Sequence, residues 1–563
     1  MPRIVTRAFP DGPYATLIGA GLHPVLARIL AARGVQNAQQ LANTFARLLP
    51  PETLKGLREA AVLLADAVQA QQRLLIVADY DADGATACAV GVRALRAFGA
   101  TVDYLVPDRF EYGYGLTPEI VRLAAKRHPD WLITVDNGIA SVEGVAEANR
   151  LGMRVIVTDH HLPADGLPAA AAIVNPNQPG CNFPSKHLAG VGVIFYVMVA
   201  LRAELALRNH FAASTKPRLA ELLDIVALGT VADVVCLDEN NRILVTQGIG
   251  RIRAGHAHAG IKALLRVAGR ETARVTTYDL AFVLGPRLNA AGRLDDMAVG
   301  IECLITDDEV RAIAAATRLD QLNRARREIQ AAMQEAAFAK LERFDPRDNY
   351  SLVVFEPDWH QGVVGLVAGK LKDQFHRPTI AFARGQDGEL KGSGRSIAAL
   401  HLRDALDLVS KRHFNLIRKF GGHAAAAGLT IAEEHLLQFS VAFEQVSRSL
   451  LSLADFAHVV ETDGELAADE ATVALALCLQ EGIWGKDFPA PLFHGEFDVV
   501  SQRVVAETHI KSILRKASQE FDAIQFFTTD PLPKRVRITY RLDLNEYNGS
   551  RALQLVLEHR EGP

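Results

Sequence analysis

The sequence predicts a multidomain α/β protein with a parallel-sheet domain, a long connecting helix, a second α/β domain and a C-terminal β-barrel. Three observations predict it. The chain has 563 residues, too many for one hydrophobic core. Between residues 73 and 174, apolar runs of strand length alternate with segments of helical periodicity, the rhythm of βαβ units. Beyond residue 455 the pattern changes to short alternating runs rich in aromatic and basic residues, which fits a five-stranded barrel of OB type.

Composition narrows the class. The net charge is -4, so global charge gives no support for a nucleic-acid partner, although a local basic groove would suffice. The five cysteines are widely spaced with no CxxC pair, which argues for reduced thiols over a disulfide framework or zinc finger. Met1–Arg7 lacks the apolar core of a signal peptide, and the longest apolar stretch, Leu188 to Leu201, is shorter than a membrane span. The expectation is a soluble cytoplasmic protein with no membrane partner.

In chain order, residues 1–72 read as a helical segment, with helices over Pro24–Arg33 and Glu52–Ala70 separated by Pro50-Pro51. Strands are predicted at 73–78, Val102–Val106, Trp131–Val135, Val155–Thr158 and Ala172–Val174, and helices at Ala85–Phe98, Pro118–Arg127 and Val142–Arg150. Helices follow through 188–228. Residues 307–345, rich in Ala, Arg, Gln and Glu with i,i+4 ion pairs, predict one long solvated connector. A second α/β unit fills 346–450, with strands at Ser351–Phe355, Pro378–Ala383 and Glu389–Gly394. Residues 455–563 form the barrel.

Polar residues gather where the first domain's strands end, the ligand side of a parallel sheet. After the first strand comes Asp79-Tyr80-Asp81-Ala82-Asp83-Gly84. In an extended backbone, acids at alternate positions share a face, and converging carboxylates repel unless a cation lies between them. A calcium EF-hand is excluded: position 12 is Val90, not Glu, and a strand precedes the loop. After the third strand comes Asp136-Asn137-Gly138, after the fourth Asp159-His160-His161, and Asp233 follows the helical stretch. Singly, these have bland readings: an acidic turn, a surface histidine pair, a helix cap. Together they supply carboxylate and imidazole ligands for two divalent ions, a set suited to Mn2+ or Mg2+ and to phosphoryl hydrolysis.

These four segments, in order, resemble the motifs of the DHH phosphoesterase superfamily, and the resemblance covers nearly the whole chain. It implies a DHH catalytic domain over 73–306, a DHHA1-like substrate domain over 346–450 and an OB-fold nucleic-acid domain over 455–563. By that resemblance Asp81 serves the first metal and Asp83 the second, Asp136 bridges both, and His160 and Asp233 bind the second. Asp79 is a ligand or a near neighbour of one, Asp159 orients a histidine, and His161 faces the scissile phosphate. The loop Pro107–Gly115, with Arg109, Tyr112 and Tyr114, resembles the family's GYG loop and suits phosphate contact and base stacking. Arg287, Asn289 and Arg293, in a glycine-punctuated stretch, are placed near DNA; the bland alternative is a turn with solvated arginines. Ser393 and Arg395, with Arg109, would hold a terminal 5′-phosphate, and His423 would contact the scissile group. His360 and Ser396 join them as substrate-binding candidates. In the barrel, Phe493, Phe497, Arg541, Tyr547 and Arg551 are candidates for gripping the strand, with core or rim positions as the alternative.

The activity so implied is 5′→3′ degradation of single-stranded DNA to 5′-mononucleotides in repair and recombination. The implied partners are the DNA itself, a single-strand-binding protein and a helicase, and the implied state is a monomer. The residues alone support metal-dependent phosphoester hydrolysis. Two alternatives stand beside it: a phosphodiesterase for short oligonucleotides or cyclic dinucleotides, which would not need the barrel, and a non-catalytic scaffold, which would have lost metal ligands.

Overall fold

The computed structural model describes residues 3–561 apart from 109–110, 113–114, 165, 213–215, 342–344, 346–347, 387 and 548–549. The chain divides into two units. One comprises Thr6–Asn323 with Glu461–Pro563, the other Met1–Val5 with Arg324–Val460. After the short strand β1 (Arg3–Thr6), the first unit builds a five-stranded sheet from β2 (Arg73–Ala78), β3 (Thr101–Leu105), β4 (Trp131–Val135), β5 (Arg154–Thr158) and β6 (Ala172–Val174). The strands run parallel in the order β3-β2-β4-β5-β6. Chain progression reverses between β2 and β4, so the crevice beyond their carboxyl ends is the topological switch point. β2 and β4 are almost wholly apolar and buried, as strands covered on both faces must be.

Helix Gly190–Leu207 is long and apolar enough to cross a membrane, yet Val191, Val193, Ile194 and Phe195 are each 0% exposed in the core of this unit. It is a core helix, as its sequence suggests. The second N-terminal helix is shorter than expected, Leu57–Gln69 instead of Glu52–Ala70. Pro51–Thr53 forms a 3-10 turn, and Gly56 takes a left-handed φ of 78° where a Cβ would stand 2.0 Å from the Ile173 carbonyl oxygen.

The expected connector is one helix, Glu309–Lys340, which passes from the first unit to the second. In the second unit β7 (Leu352–Phe355), β8 (Thr379–Arg384), β9 (Glu389–Arg395), β10 (Lys419–Gly422) and β11 (Ala426–Ala432) form a mixed sheet in the order β10-β11-β9-β8-β7. Phe382, Phe439 and Phe443 centre its core.

After β12 (Val459–Thr462), the chain returns to the first unit. There β13 (Phe493–Val505), β14 (His509–Lys516), β15 (Gln519–Gln525), β16 (Arg535–Tyr547) and β17 (Ser550–Glu561) close a barrel in the order β13-β14-β15-β17-β16. This is the expected five-stranded OB architecture. Two of the expected strand-grip residues are corrected here. Phe493 and Phe497 are 0% and 2% exposed and pack against Tyr540, because the period of two turns them inward. The barrel's core also takes in Val25 and Ile29 from helix Pro24–Ala32. Arg33, just past that helix, donates to both Asp463 oxygens at 2.7 and 2.9 Å, and both side chains are buried.

Candidate metal centre

The switch-point crevice collects the acids, by a route that differs from the extended-strand expectation. Helix Ala82–Ala97 begins three residues earlier than the sequence pattern suggests, with Asp81 as its N-cap. The Asp81 Oδ1 accepts from the Asp83 and Gly84 backbone N–H groups at 2.9 and 3.0 Å. Asp83 therefore sits in the first helical turn, and the three acids converge through a cap and not through strand alternation. An added Cβ at Gly84 would stand 2.4 Å from the Asp79 carbonyl oxygen, so this tight turn needs glycine.

Asp136 ends β4 in a left-handed conformation, φ 62°, and is 2% exposed. A non-glycine residue held there costs about 1 kcal/mol or more, which the neighbouring contacts must offset. Its N–H donates to the Thr158 carbonyl at 3.1 Å, and Asn137 spans two strand ends by donating to the Val77 and Val135 carbonyls. Beside it, Asp159 accepts from the Ile139, His160 and His161 N–H groups and lies 2.8 Å from His161 Nδ1. Asn175 and Asn177 donate to the His161 and His160 carbonyls, which fixes the histidine pair from behind. The Asp159 carboxylate thus ties together the His161 ring and the backbone of both histidines.

Three overlapping sets of ligand atoms each lie within 4.8 Å of one another: Asp79, Asp81 and Asp136; Asp83, His160 and Asp233; Asp136, His160 and His161. His160 Nε2 is 3.1 Å from Asp136, 3.6 Å from Asp233 and 3.9 Å from Asp83. The carboxylates strain against one another. Burial, then the Asp81 charge, pushes Asp83 up to about 7 despite donation from the Gly190 and Val191 N–H groups at 2.6 and 2.9 Å. Burial and the neighbouring carboxylates also raise Asp136 and Asp233 well above the ordinary range. Burial alone would lower His161, but Asp159 together with Asp79 and Asp81 lifts it to about 9. Five carboxylates that repel one another, converging with two imidazoles within ligand range, fit divalent cations.

Small residues make this convergence possible. An added Cβ at Gly190 would stand 2.6 Å from Asp136 Cβ, and at Gly229 it would be 2.1 Å from Thr86 Oγ1 and 3.1 Å from Asp83 Oδ1. Neither glycine, nor the supporting Asn175 and Asn177, was singled out from sequence. The two asparagines carry a readable signal, since they follow the end of β6 in the same sheet.

The stretch Gly285–Leu294 is a helix, not a turn with solvated arginines, and its role shifts accordingly. Arg287 is buried, paired with Asp320 at 2.8 Å and donating to the Val283 carbonyl, so it does not reach outward to phosphates. Asn289 accepts from the Ala82 N–H at 2.9 Å and so supports the acidic turn. Gly292 lies so close to the Tyr80 carbonyl that a Cβ would stand 1.9 Å from it. Arg293 is half-buried on the same helix. In the expected GYG loop, Tyr112 packs partly against the sheet, while Arg109 and Tyr114 lie outside the described residues.

In the second unit, Ser393 and Arg395 share one face of β9, and Arg395 donates to Ser393 Oγ at 3.2 Å. Gly365, in the first turn of helix Val364–Phe375, lets that helix N-terminus approach them; its Cβ would be 2.8 Å from Ser393 Oγ. An arginine, a hydroxyl and a helix N-terminus make an anion-binding corner. Burial lowers His360, whose Nδ1 accepts from the Gly362 N–H at 3.0 Å. Ser396 is corrected: it is buried and its hydroxyl donates to the Leu400 carbonyl. His423 is exposed in the β10–β11 connection. In the barrel Arg541 pairs with Glu558, Arg551 is exposed, and the Tyr547 side chain lies outside the described set.

Sequence comparison agrees with this layout. Residues 73–230 match the DHH family N-terminal domain, 348–449 the DHHA1 domain and 462–559 the RecJ OB domain. The single-stranded-DNA-specific exonuclease RecJ of Dickeya dadantii is 50% identical over 99% of both chains. The chain belongs to the RecJ family. The RecJ of Escherichia coli is 48% identical over 96% of each chain. The crystal structure of RecJ from Thermus thermophilus in complex with Mn2+ superposes over all of this chain and 79% of that one, with a TM-score of 0.84 and 29% identity.

Proposed function

We infer that the protein is a metal-dependent exonuclease that degrades single-stranded DNA from the 5′ end to 5′-mononucleotides in repair and recombination. The observation that carries this reading is the crowd of mutually repelling carboxylates at the switch point of a RecJ-family sheet. Asp79, Asp81 and Asp136 would hold one divalent ion, Mn2+ or Mg2+, and Asp83, His160, Asp233 and Asp136 the other. When bound, such a pair supplies a nucleophilic water at neutral pH and charge stabilisation for attacking and leaving oxygens.

The chain's own residues do the rest. Asp159 holds His161 oriented through Nδ1, so that its imidazole faces the scissile phosphate. Ser393 and Arg395, with Arg109, bind the terminal 5′-phosphate; His360 and His423 also contact the substrate. Polarity then follows from anchoring the 5′ end. The protein works as a cytoplasmic monomer with a single-strand-binding protein and a helicase as partners.

The test is digestion of end-labelled single-stranded and duplex DNA with Mn2+, Mg2+ or EDTA. Release of 5′-mononucleotides from single strands only, abolished by EDTA, is the expected result. Equal activity on a 5′-blocked strand, or activity surviving Asp136→Ala, would overturn the assignment.

A further inference from the structure

Helix Leu223–Ala232 is buried along almost its whole length and ends on Asp233 as its C-cap, with the Asp233 side chain 22% exposed. Only the short loop Val234–Leu237 then separates it from Asp238, the N-cap of helix Glu239–Arg253. Val234 takes a left-handed φ of 60°, an outlier for a β-branched side chain, and is 60% exposed, so its own packing does not hold it there. A strained residue beside a ligand persists only where its neighbours over-determine the backbone. Within the catalytic domain, Asn241 donates to the Cys236 carbonyl and Arg242 to the Leu237 carbonyl, both at 2.8 Å.

The rest of the hold comes from far along the chain. The turn Trp484–Phe488, which leads into the barrel, lies against this loop. The Leu237 N–H donates to the Lys486 carbonyl at 2.9 Å. Gly485 lies so close that an added Cβ would stand 2.6 Å from Leu237 Cδ1, and Leu237 is 2% exposed. The Phe488 ring covers the Arg242 guanidinium, which stands 4.3 Å from the ring centroid. Burial, then the Asp487 and Asp238 charges, push the Cys236 thiol up to about 11, and the thiol also donates to Asp487. The turn is itself stiff. Gly485 and Phe488 exchange backbone hydrogen bonds at 2.9 and 3.2 Å, and Trp484 stacks on Phe488 with centroids 5.5 Å apart. Phe488 is buried in the core of the catalytic domain, whereas Trp484 packs against that core and against the barrel's.

We propose that the Trp484–Phe488 turn is a positioning element of the metal centre, a clamp on the Val234–Leu237 loop that keeps Asp233 within ligand reach of Asp83 and His160. This rests on the metal-dependent reading of the crevice and adds an element that supports one of its ligands from outside the catalytic domain. The other acids stand on the sheet and on the helix that follows β2. Asp233 ends a separate helix, with only this loop beyond it.

The experiment titrates Mn2+ into the full-length protein without DNA, by calorimetry, and follows amide hydrogen exchange of residues 234–238 in EDTA. Gly485→Ala pushes on Leu237 without touching a ligand, and Phe488→Leu withdraws the ring from Arg242. In each, one of two Mn2+ ions should bind about three- to tenfold more weakly, and the Leu237 amide should exchange faster than in wild type. Raising Mn2+ should restore turnover, with the KM for oligo(dT) unchanged. Val536→Ala, in the barrel core on β16, is the control for general destabilisation and should bind both ions as wild type does. Wild-type affinity for both ions in the two turn variants, or an equal loss in Val536→Ala, overturns the clamp. A wild-type chain that takes up no Mn2+ would instead overturn the metal-dependent reading, and the clamp with it.

Discussion

Replacing Gly190 by alanine tests how tightly the acidic crevice is built. The added Cβ would fall 2.6 Å from Asp136 Cβ and 2.7 Å from its Oδ1. Ordinary carbon contacts are about 3.5–4.0 Å, so something must move by about 1 Å. Asp136 has little freedom to absorb this: it is buried, left-handed in φ, and anchored through its N–H to Thr158. The helix is equally constrained, because the Gly190 and Val191 N–H groups hold Asp83. One of the two acids is therefore displaced. Misplacement by about 1 Å costs on the order of 100-fold in turnover, or about 2.7 kcal/mol of barrier, and overpacking costs about 1–3 kcal/mol of stability. The assay is single-turnover release of labelled mononucleotide at saturating Mn2+, with circular dichroism to confirm folding. Gly192→Ala is the control, since its nearest neighbour, at 3.1 Å, is the movable end of Leu188. A Gly190→Ala protein that turns over within threefold of wild type would refute the reasoning.

Asp136→Asn should abolish turnover yet raise the melting temperature of the protein in EDTA, because it removes one of the crowded charges; a fall in melting temperature would contradict that. The pH dependence has a defined sign. Asp83 rises from an ordinary 3.8 to about 7 in the folded chain, so the metal-free protein holds this contribution fully below about 4 and loses it as pH rises through about 7. Thermal melts in EDTA should therefore decline between about pH 4 and 7, and Mn2+ should restore more stability at about pH 7.5 than at about pH 5; a flat profile in EDTA would count against it. Arg33→Ala should cost about 1–3 kcal/mol, because buried Asp463 loses its two short bonds and keeps only Arg7 at 3.4 Å and the Leu492 N–H at 3.0 Å, read by chemical denaturation; a loss below about 0.5 kcal/mol would show that the site relaxes.

The sheet and its acids were legible in the sequence because strand length, apolar runs and terminal carboxylates are local signals. β2, β4 and β6 appear where periodicity puts them. What escaped is what depends on approach between distant segments. That Asp81 caps a helix depends on how the chain turns, and D-x-D-x-D fits both a strand extension and a cap. Gly190 and Gly229 look like ordinary helix residues until Asp136 and Asp83 are seen against them. Arg287 reads as a solvated cation until Asp320, on another helix, is found beside it. In the barrel, alternation alone does not say which of two faces is inside, so Phe493 and Phe497 read equally as strand contacts or as core, and only the closed barrel turns them inward.

The sharing of one core by helix Pro24–Ala32 and the barrel bears on how the protein is made. Arg33 and Asp463 are 430 positions apart, and Val25 and Ile29 pack in a core whose other members begin at Leu466 and leave the ribosome long after them. At about 5–20 residues per second, that face of the helix waits about 20–90 s for its partner. The catalytic sheet, closed by residue 174, can assemble long before. A nascent or truncated chain would thus carry its acidic crevice early and its N-terminal seal only after the barrel has been made, so termination before the barrel should yield a protein marked for degradation by an uncovered apolar helix.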